Sequence, residues 1–119
     1  MSLTQEKGVW AENLILEEYL RKGFLFIGRN IRCGGGELDL VFRWDENLTF
    51  VEVRYLRVTS FMHPIESISH KKLLNLRRAC QAYQNKYYRA GVNYSLDIAT
   101  VTGASSSPKI EIWSDVLEG

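Results

Sequence analysis

The amino-acid sequence predicts one α/β domain, in which helices and a mixed β-sheet form a two-layer or three-layer sandwich. A chain of 119 residues is long enough to bury one hydrophobic core and too short for two. Its composition, 45% hydrophobic and 24% charged with two prolines, is that of a globular protein and not of a disordered one. Segment patterning gives the order α-β-β-β-α-β-β, without repeats or low-complexity segments.

The first element is a helix over residues 4–22 that stops at Gly23. One face of this helix carries Gly8, Ala11, Glu12, Ile15, Leu16 and Tyr19. Glu12 lies near the centre of that face, which places a carboxylate where an apolar residue would pack. Trp10 and Leu14 form a second apolar patch, which we expect to be an exposed pair and not a contact surface.

Three strands follow the first helix. Residues 24–32 have mixed strand patterning, and the turn at 33–36 contains three glycines, which adopt positive φ without steric cost. Two acidic strands, 36–42 and 50–55, are then joined by a polar hairpin loop at 45–47.

A long helix lies in the second half of the chain. Residues 56–68 look irregular, Ser69 is a plausible N-cap, and the helix runs to about Arg89 before Gly91 ends it. The last two strands are 92–102, which carries Asp97, and 109–113.

The charge of the chain is nearly balanced overall but uneven along its length. Net charge is +1, whereas no Asp or Glu occurs between Ser67 and Leu96. That stretch contains six cations: Lys71, Lys72, Arg77, Arg78, Lys86 and Arg89. A basic helix of this kind is either a footprint for phosphate groups or a solvated face.

The remaining composition predicts a cytoplasmic protein. Cys33 and Cys80 have neither metal-ligand nor disulfide spacing, and His63 and His70 have no partner spacing. The N-terminus lacks a signal-peptide pattern, and no apolar run approaches the ~20 residues of a membrane span. We therefore expect no membrane association.

An acidic cluster on the two hairpin strands is the main functional signal. Strand alternation places Glu37 with Asp39 on one face and Glu52 with Arg54 on one face. Carboxylates are depleted in strand interiors and costly to bury without a cation. Asp39 and Glu52 on adjacent strands could hold one Mg²⁺ or Mn²⁺, with the Val53 carbonyl as a further oxygen ligand.

Structural interpretations of these residues stay open beside the metal site. Glu37 can be a surface residue next to the glycine turn, and Glu52 with Arg54 can be a same-strand ion pair. Glu12 can simply pair with a basic neighbour. Asp39 is the residue that such interpretations explain least well.

The chain resembles the YraN-like family of uncharacterised bacterial proteins. This family belongs to the PD-(D/E)XK nuclease superfamily and is related to archaeal Holliday-junction resolvases. The resemblance covers residues 7–101 and rests on motifs in the same order. These are Gly8-x-x-Ala11-Glu12, Tyr19-Leu20 with Gly23, Arg29-Asn30, Gly36-Glu37-Leu38-Asp39-Leu40 and Phe50-Val51-Glu52-Val53-Arg54.

This resemblance implies a restriction-endonuclease-like core, a mixed sheet flanked by helices, and metal-dependent hydrolysis of DNA, branched or single-stranded. It implies that Asp39 and Glu52 bind Mg²⁺ or Mn²⁺, that Glu12 adds to the metal site, and that Glu37 supports it. Lys72 lies at the edge of the apolar face of its helix and could reach the scissile phosphate together with Arg54. The other DNA-contacting candidates on that helix are Lys71, Arg77 and Arg78.

Two departures from the family pattern leave a second function open. The family usually has lysine where this chain has Arg54, which cannot readily give up a proton, and arginine where this chain has Ser95. A nucleic-acid-binding module with weakened or lost catalysis is therefore the alternative. A third interpretation is a partner of a DNA-processing protein, contacted through the Trp10 patch and the Tyr87-Tyr88 pair; junction cleavage would need a homodimer, for which the sequence shows no interface stripe.

Overall fold

The computed structural model of the chain describes residues 3–56, 64–88, 92–104 and 106–117. The helices are α1 (Leu3–Arg21) and α2 (His70–Tyr87), and the strands are β1 (Leu25–Cys33), β2 (Gly36–Trp44), β3 (Asn47–Leu56), β4 (Tyr94–Thr102) and β5 (Lys109–Trp113). A short 3₁₀ helix at Pro64–Ser67 lies in the segment expected to be irregular. The predicted order of helices and strands is confirmed.

The five strands form one mixed sheet in the order β1-β2-β3-β4-β5. Neighbouring strands are antiparallel except β3 and β4, which are parallel. A parallel pair needs a long crossover connection, and α2 lies in the connection between β3 and β4. This mixed sheet with two helices is the restriction-endonuclease-like α/β core that the resemblance implies.

The two helices cover opposite faces of the sheet, which gives the three-layer form of the predicted sandwich. The α1 side buries one apolar cluster: Ala11, Ile15, Tyr19, Leu40, Phe42, Val51, Ala99 and Val101. The α2 side buries another: Leu38, Val41, Leu48, Phe50, Leu76, Ala79, Cys80, Tyr83 and Leu96. Because both faces are covered, a polar group in the middle of the sheet is removed from water whichever way it points.

Several details differ from the sequence-based expectations. Trp10 and Leu14 are not an exposed pair, because both are half-buried and pack against the α1-side cluster. The hairpin between β2 and β3 is tighter than predicted, with Asp45 at a φ of 57° in its turn. Helix α2 ends at Tyr87, where the N–H of Tyr88 donates to the Gln84 carbonyl; Gly91 lies outside the described residues.

The strand alternation breaks at Asp39. Leu38 packs into the α2-side cluster, whereas Leu40 packs into the α1-side cluster. Two residues that are two positions apart in a regular strand would point to the same face. The same level of β1 is distorted as well: Arg29 pairs with Leu40, Ile31 pairs with Leu38, and the intervening Asn30 has a φ of 53°. The sheet is therefore irregular where the acidic residues lie.

No helix in the described part of the chain combines the length and apolar character needed to cross a bilayer.

Candidate active site

The site lies where β2 and β3 separate. Their pairing runs from Trp44 opposite Asn47 up to Leu40 opposite Val51, and Asp39 and Glu52 are the next residues on each strand. Beyond this point the Val53 N–H donates to Asp39 Oδ2 at 2.9 Å. The aspartate side chain thus replaces a backbone acceptor at the opening, and its carboxylate is held beside Glu52.

Glu52 is the most deeply buried acidic side chain of the opening, with 3% of its surface exposed. It follows Phe50 on the strand face that packs against α2, so its carboxylate extends beneath that helix. One of its oxygens, Oε1, is buried and has no hydrogen-bond partner among the described residues. Burial, followed by the charge of Asp39, raises the pKa of Glu52, and Lys72 and Arg54 offset this only in part.

Two cations approach the other oxygen of Glu52. Lys72 Nζ is 3.7 Å and Arg54 Nη1 is 3.8 Å from Glu52 Oε2, distances of ion pairs and not of direct hydrogen bonds. The Lys72 side chain comes from the first turn of α2, whose start is fixed by Ser69: its Oγ accepts from the Lys72 N–H at 3.1 Å. The predicted N-cap thereby places Lys72 over the sheet.

Arg54 makes a second contact besides its ion pair with Glu52. Its Nη2 donates to the Ser67 carbonyl at 2.9 Å, which ties the strand to the 3₁₀ helix. Its Nε is buried and has no hydrogen-bond partner among the described residues. Arg54 therefore also connects β3 to the 3₁₀ helix, a structural role that the lysine usual at this position in the family does not suggest.

Glu12 reaches the opening from the α1 side. Arg29 Nη2 lies 2.9 Å from Glu12 Oε1, and Arg29 Nη1 donates to Asn13 Oδ1 at 2.9 Å. Burial raises the pKa of Glu12 while Arg29 opposes that rise, and the charge of Asp39 raises it further, so the two carboxylates lie within electrostatic range. The pairing with a basic neighbour is present, and it directs the Glu12 carboxylate to Arg29 on β1.

The other candidate residues lie away from these carboxylates. Glu37 is half-exposed and lies 3.9 Å from Arg32 on the neighbouring strand. Lys71, Arg77 and Arg78 are exposed on α2. The structure thus brings together Asp39, Glu52, Val53, Arg54 and Lys72, whereas Glu12 is paired with Arg29 on the α1 side.

Sequence reasoning gave no role to Arg29, Asn30 or Ser67. Arg29 and Asn30 both interact with Glu12, and the Ser67 carbonyl accepts from Arg54. Two features of the sequence pointed to Arg29: it is a charged residue in a mostly apolar strand, and it belongs to one of the motifs that carry the family resemblance. A backbone carbonyl such as that of Ser67 leaves no signal in a sequence.

The residues of the opening fit a hard divalent cation that takes part of its coordination from water and substrate. Among the residues described, no group of three or more His, Cys, Asp or Glu side chains is close enough together to hold a metal ion. Asp39 and Glu52 nevertheless place two carboxyl groups together, and one buried oxygen of Glu52 has no partner. Mg²⁺ is usually held by one or two protein carboxylates plus water and phosphate oxygens, which is the set available here.

Asp97, the acidic residue of β4, contacts other parts of the molecule. Tyr19 donates its hydroxyl to Asp97 Oδ2 at 2.6 Å, and the Asp115 N–H donates to Asp97 Oδ1 at 3.0 Å. Burial raises the pKa of Asp97, while these two hydrogen bonds lower it. Asp97 therefore joins α1, β4 and the C-terminal segment rather than the opening between β2 and β3.

Comparison with known proteins gives matches along most of the chain. The profile described as uncharacterised protein family UPF0102 matches residues 11–101. A UPF0102 protein of Carboxydothermus hydrogenoformans is 40% identical over 110 residues, which cover 92% of this chain and 92% of the relative. A UPF0102 protein of Syntrophomonas wolfei is 33% identical over 108 residues, covering 91% of this chain and 94% of the relative.

Proposed function

Since the chain belongs to the uncharacterised protein family UPF0102, whose description states no activity, we propose its function from the site: a metal-dependent endonuclease that hydrolyses DNA phosphodiester bonds. The observation that carries the proposal is the unpartnered, buried Oε1 of Glu52 beside Asp39. Leaving a buried carboxylate oxygen without a donor is costly, and a bound cation removes that cost.

Each residue of the opening has a defined task in this proposal. Asp39 and Glu52 hold Mg²⁺ or Mn²⁺, and Asp39 is itself fixed by the Val53 N–H. When bound, the ion supplies Lewis-acid chemistry and neutralises charge on the phosphate. Glu12, oriented by Arg29, adds negative charge on the α1 side and strengthens the preference for a cation.

Lys72 is the cation better placed to meet a phosphate. About 42% of its side chain is exposed, so the ammonium can contact both Glu52 and a group arriving from solvent. The guanidinium of Arg54 is already bound to the Ser67 carbonyl. A cation that is already in position stabilises the negative charge that develops on phosphate oxygens during hydrolysis. We therefore assign Lys72 as the main phosphate-contacting residue and Arg54 as an accessory one.

The proposal is tested by nuclease assays with Mn²⁺ or Mg²⁺ on linear duplex, single-stranded and junction DNA. We expect divalent-dependent cleavage of at least one substrate and a loss of at least ~100-fold in Asp39→Asn and Glu52→Gln. Glu111→Gln on the edge strand β5 is the matched control, since its carboxylate pairs with Lys109 and lies two strands away from β3. Cleavage that is absent in the wild type, or undiminished in Asp39→Asn, would overturn the proposal.

The contact between Arg54 and Ser67 favours one second candidate, a nucleic-acid-binding module that keeps the fold without turnover. Salt-sensitive DNA binding through the basic face of α2, unaffected by Asp39→Asn, is the outcome expected of such a module. Nuclease assays of the variant Arg54→Lys distinguish the two functions. Cleavage that appears only in this variant supports the binding module, whereas cleavage already present in the wild type supports the endonuclease.

A further inference from the structure

A cavity of about 620 Å³ lies where β2 ends and where β3 and β4 begin. Its lining includes Trp44, Thr49 and Asp97, each two positions along its strand from a residue of the α1-side cluster. These side chains therefore lie on the face that α1 covers, beyond the end of that helix at Arg21. Trp44 is five residues from Asp39 along β2, about 17 Å, so the cavity is separate from the candidate active site.

The cavity has an aromatic wall formed by Trp44 and Phe24, whose ring centroids are 4.8 Å apart. Gly23 supports the indole as well, since a Cβ atom there would lie 3.4 Å from Trp44 Cζ3. Trp44 is nevertheless 48% exposed. An indole that is held by its neighbours and still open to solvent is a preformed stacking surface for a planar ring such as a nucleobase.

A second wall comes from the segment that follows β5. The Val116 N–H donates to the Leu96 carbonyl at 2.9 Å, and the Asp115 N–H donates to Asp97 Oδ1 at 3.0 Å. Asp97, with 4% of its surface exposed, thus anchors Asp115 at a φ of 56°, which is uncommon for a residue with a side chain. The backbone of Asp115 is therefore fixed, and its side chain is a half-buried carboxylate on the cavity lining.

The charges of the lining favour a ligand with two unlike ends. Asp97 and Asp115 make one part of the lining acidic, whereas Lys22 adds an exposed ammonium. The carboxylates repel a simple anion, and an apolar ligand would cover them without offering a donor. A ligand with a planar ring, an edge of hydrogen-bond donors and an anionic group matches the indole, the carboxylates and the ammonium together. Nucleotides have these three parts.

We propose that this cavity binds a guanine nucleotide, with the base stacked on Trp44, its donor edge directed to Asp115 and its phosphate at Lys22. Guanine is the nucleobase that presents two adjacent donors, the ring N–H and the amino group, to the two oxygens of one carboxylate. Adenine and cytosine place a ring acceptor beside the amino group, and uracil has acceptors on both sides of its N–H. A carboxylate opposite such an acceptor is repelled, which gives the preference for guanine.

Isothermal titration calorimetry in EDTA with guanosine, adenosine, cytidine and uridine monophosphates tests the proposal. Because EDTA removes divalent ions, failure of this binding and failure of the proposed endonuclease are separate results. We expect guanosine monophosphate to bind at least ~10-fold more tightly than the other three. Lys22→Gln should reduce its affinity towards that of guanosine, which lacks the phosphate.

Two variants with matched controls separate the base contacts. Trp44→Leu should weaken binding of guanosine monophosphate at least ~10-fold, whereas Tyr87→Leu, at an aromatic position 56% exposed on α2, should change it less than ~2-fold. Asp115→Asn should reduce the preference for guanine over adenine to less than ~3-fold, because an amide offers one acceptor and one donor. Glu111→Gln should keep that preference.

A nuclear magnetic resonance titration locates the ligand. The indole N–H resonance of Trp44 should shift with guanosine monophosphate, while that of Trp10, which packs against Tyr55, should not. A short single-stranded oligonucleotide with one guanine among thymines distinguishes the sources: equal or tighter binding assigns the base to a nucleic acid strand, and binding of the mononucleotide alone assigns it to a free nucleotide. No binding at about 1 mM, equal affinity for guanosine and adenosine monophosphates, or equal losses in Trp44→Leu and Tyr87→Leu would each overturn the proposal.

Discussion

Burial of Glu52 makes the charge state of one carboxyl group a determinant of stability. With 3% of its surface exposed and an unpartnered Oε1, the ionised group is held in an environment that favours the neutral form. The nearest cations are 3.7 and 3.8 Å from the other oxygen and compensate only partly. A residue of this kind weakens the fold of the metal-free protein, which is a common property of functional sites.

Glu52→Gln should therefore stabilise the metal-free protein at alkaline pH. Burial raises the pKa of Glu52 from 4.5 to about 8, so between these values the folded chain binds more protons than the unfolded chain, and the free energy of unfolding falls as pH rises. Glutamine removes this dependence. In EDTA, the unfolding free energy of Glu52→Gln relative to the wild type should increase by ~1–4 kcal/mol from pH 5 to pH 8.

The control for this pH series is Glu111→Gln, whose carboxylate is paired near the surface of β5. Its unfolding free energy should stay within ~0.5 kcal/mol of the wild type throughout. Urea denaturation followed by circular dichroism provides the measurement. If the unfolding free energies of Glu52→Gln and the wild type changed in parallel with pH, the buried carboxyl group would not control stability.

At the scale of helices and strands, local sequence signals gave the element order correctly because each segment has a consistent pattern. The Ser69 N-cap and the three-glycine turn are examples in which one residue type has one physical reason to be there. The break in alternation at Asp39 had no such signal, since it depends on the distortion at Asn30 in the neighbouring strand. The proximity of Asp39 and Glu52 was predictable from their adjacent strands, whereas the coupling of Arg54 to Ser67 was not.

Helix α2 depends on its first turn for both stability and the position of Lys72. Ser69→Ala removes the oxygen that accepts from the Lys72 N–H and should lower the free energy of unfolding by about 1 kcal/mol. Ser69→Asp should retain most of the stability, because aspartate caps equally well. Urea denaturation provides the measurement, and the control is Ser106→Ala in an exposed loop, which should change the unfolding free energy by less than ~0.5 kcal/mol. If Ser106→Ala lowered the unfolding free energy as much as Ser69→Ala, a specific capping effect would be ruled out.

At the scale of the whole molecule, the candidate site lies between side chains that come from both helices. Glu12 comes from α1, Lys72 from α2, and the two carboxylates come from the strands between them. A cation held by Asp39 and Glu52, as proposed, would be bound to two strands in the middle of the sheet. Its binding free energy should therefore be added to global stability rather than to the stability of a single loop.

Mn²⁺ should raise the melting temperature of the wild-type chain in proportion to site occupancy. A ligand at 100 times its dissociation constant adds about 2.7 kcal/mol to the unfolding free energy, which corresponds to a shift of several degrees in a domain of this size. Differential scanning calorimetry should show the shift in the wild type and in Glu111→Gln, and its loss in Asp39→Asn. A shift that persists in Asp39→Asn would place the bound ion elsewhere.

The glycine turn between β1 and β2 has a consequence for how the site can vary. A Cβ atom at Gly36 would lie 2.8 Å from the Asn75 carbonyl, and one at Gly34 would lie 2.8 Å from the Ala82 Cβ, so the turn touches the body of α2 directly. A methyl group there would lift the helix and carry Lys72 outward, while Asp39 and Glu52 stayed on the sheet. A substitution at either glycine would thus change the spacing between helix and sheet, on which the 3.7 Å approach of the Lys72 ammonium to Glu52 depends.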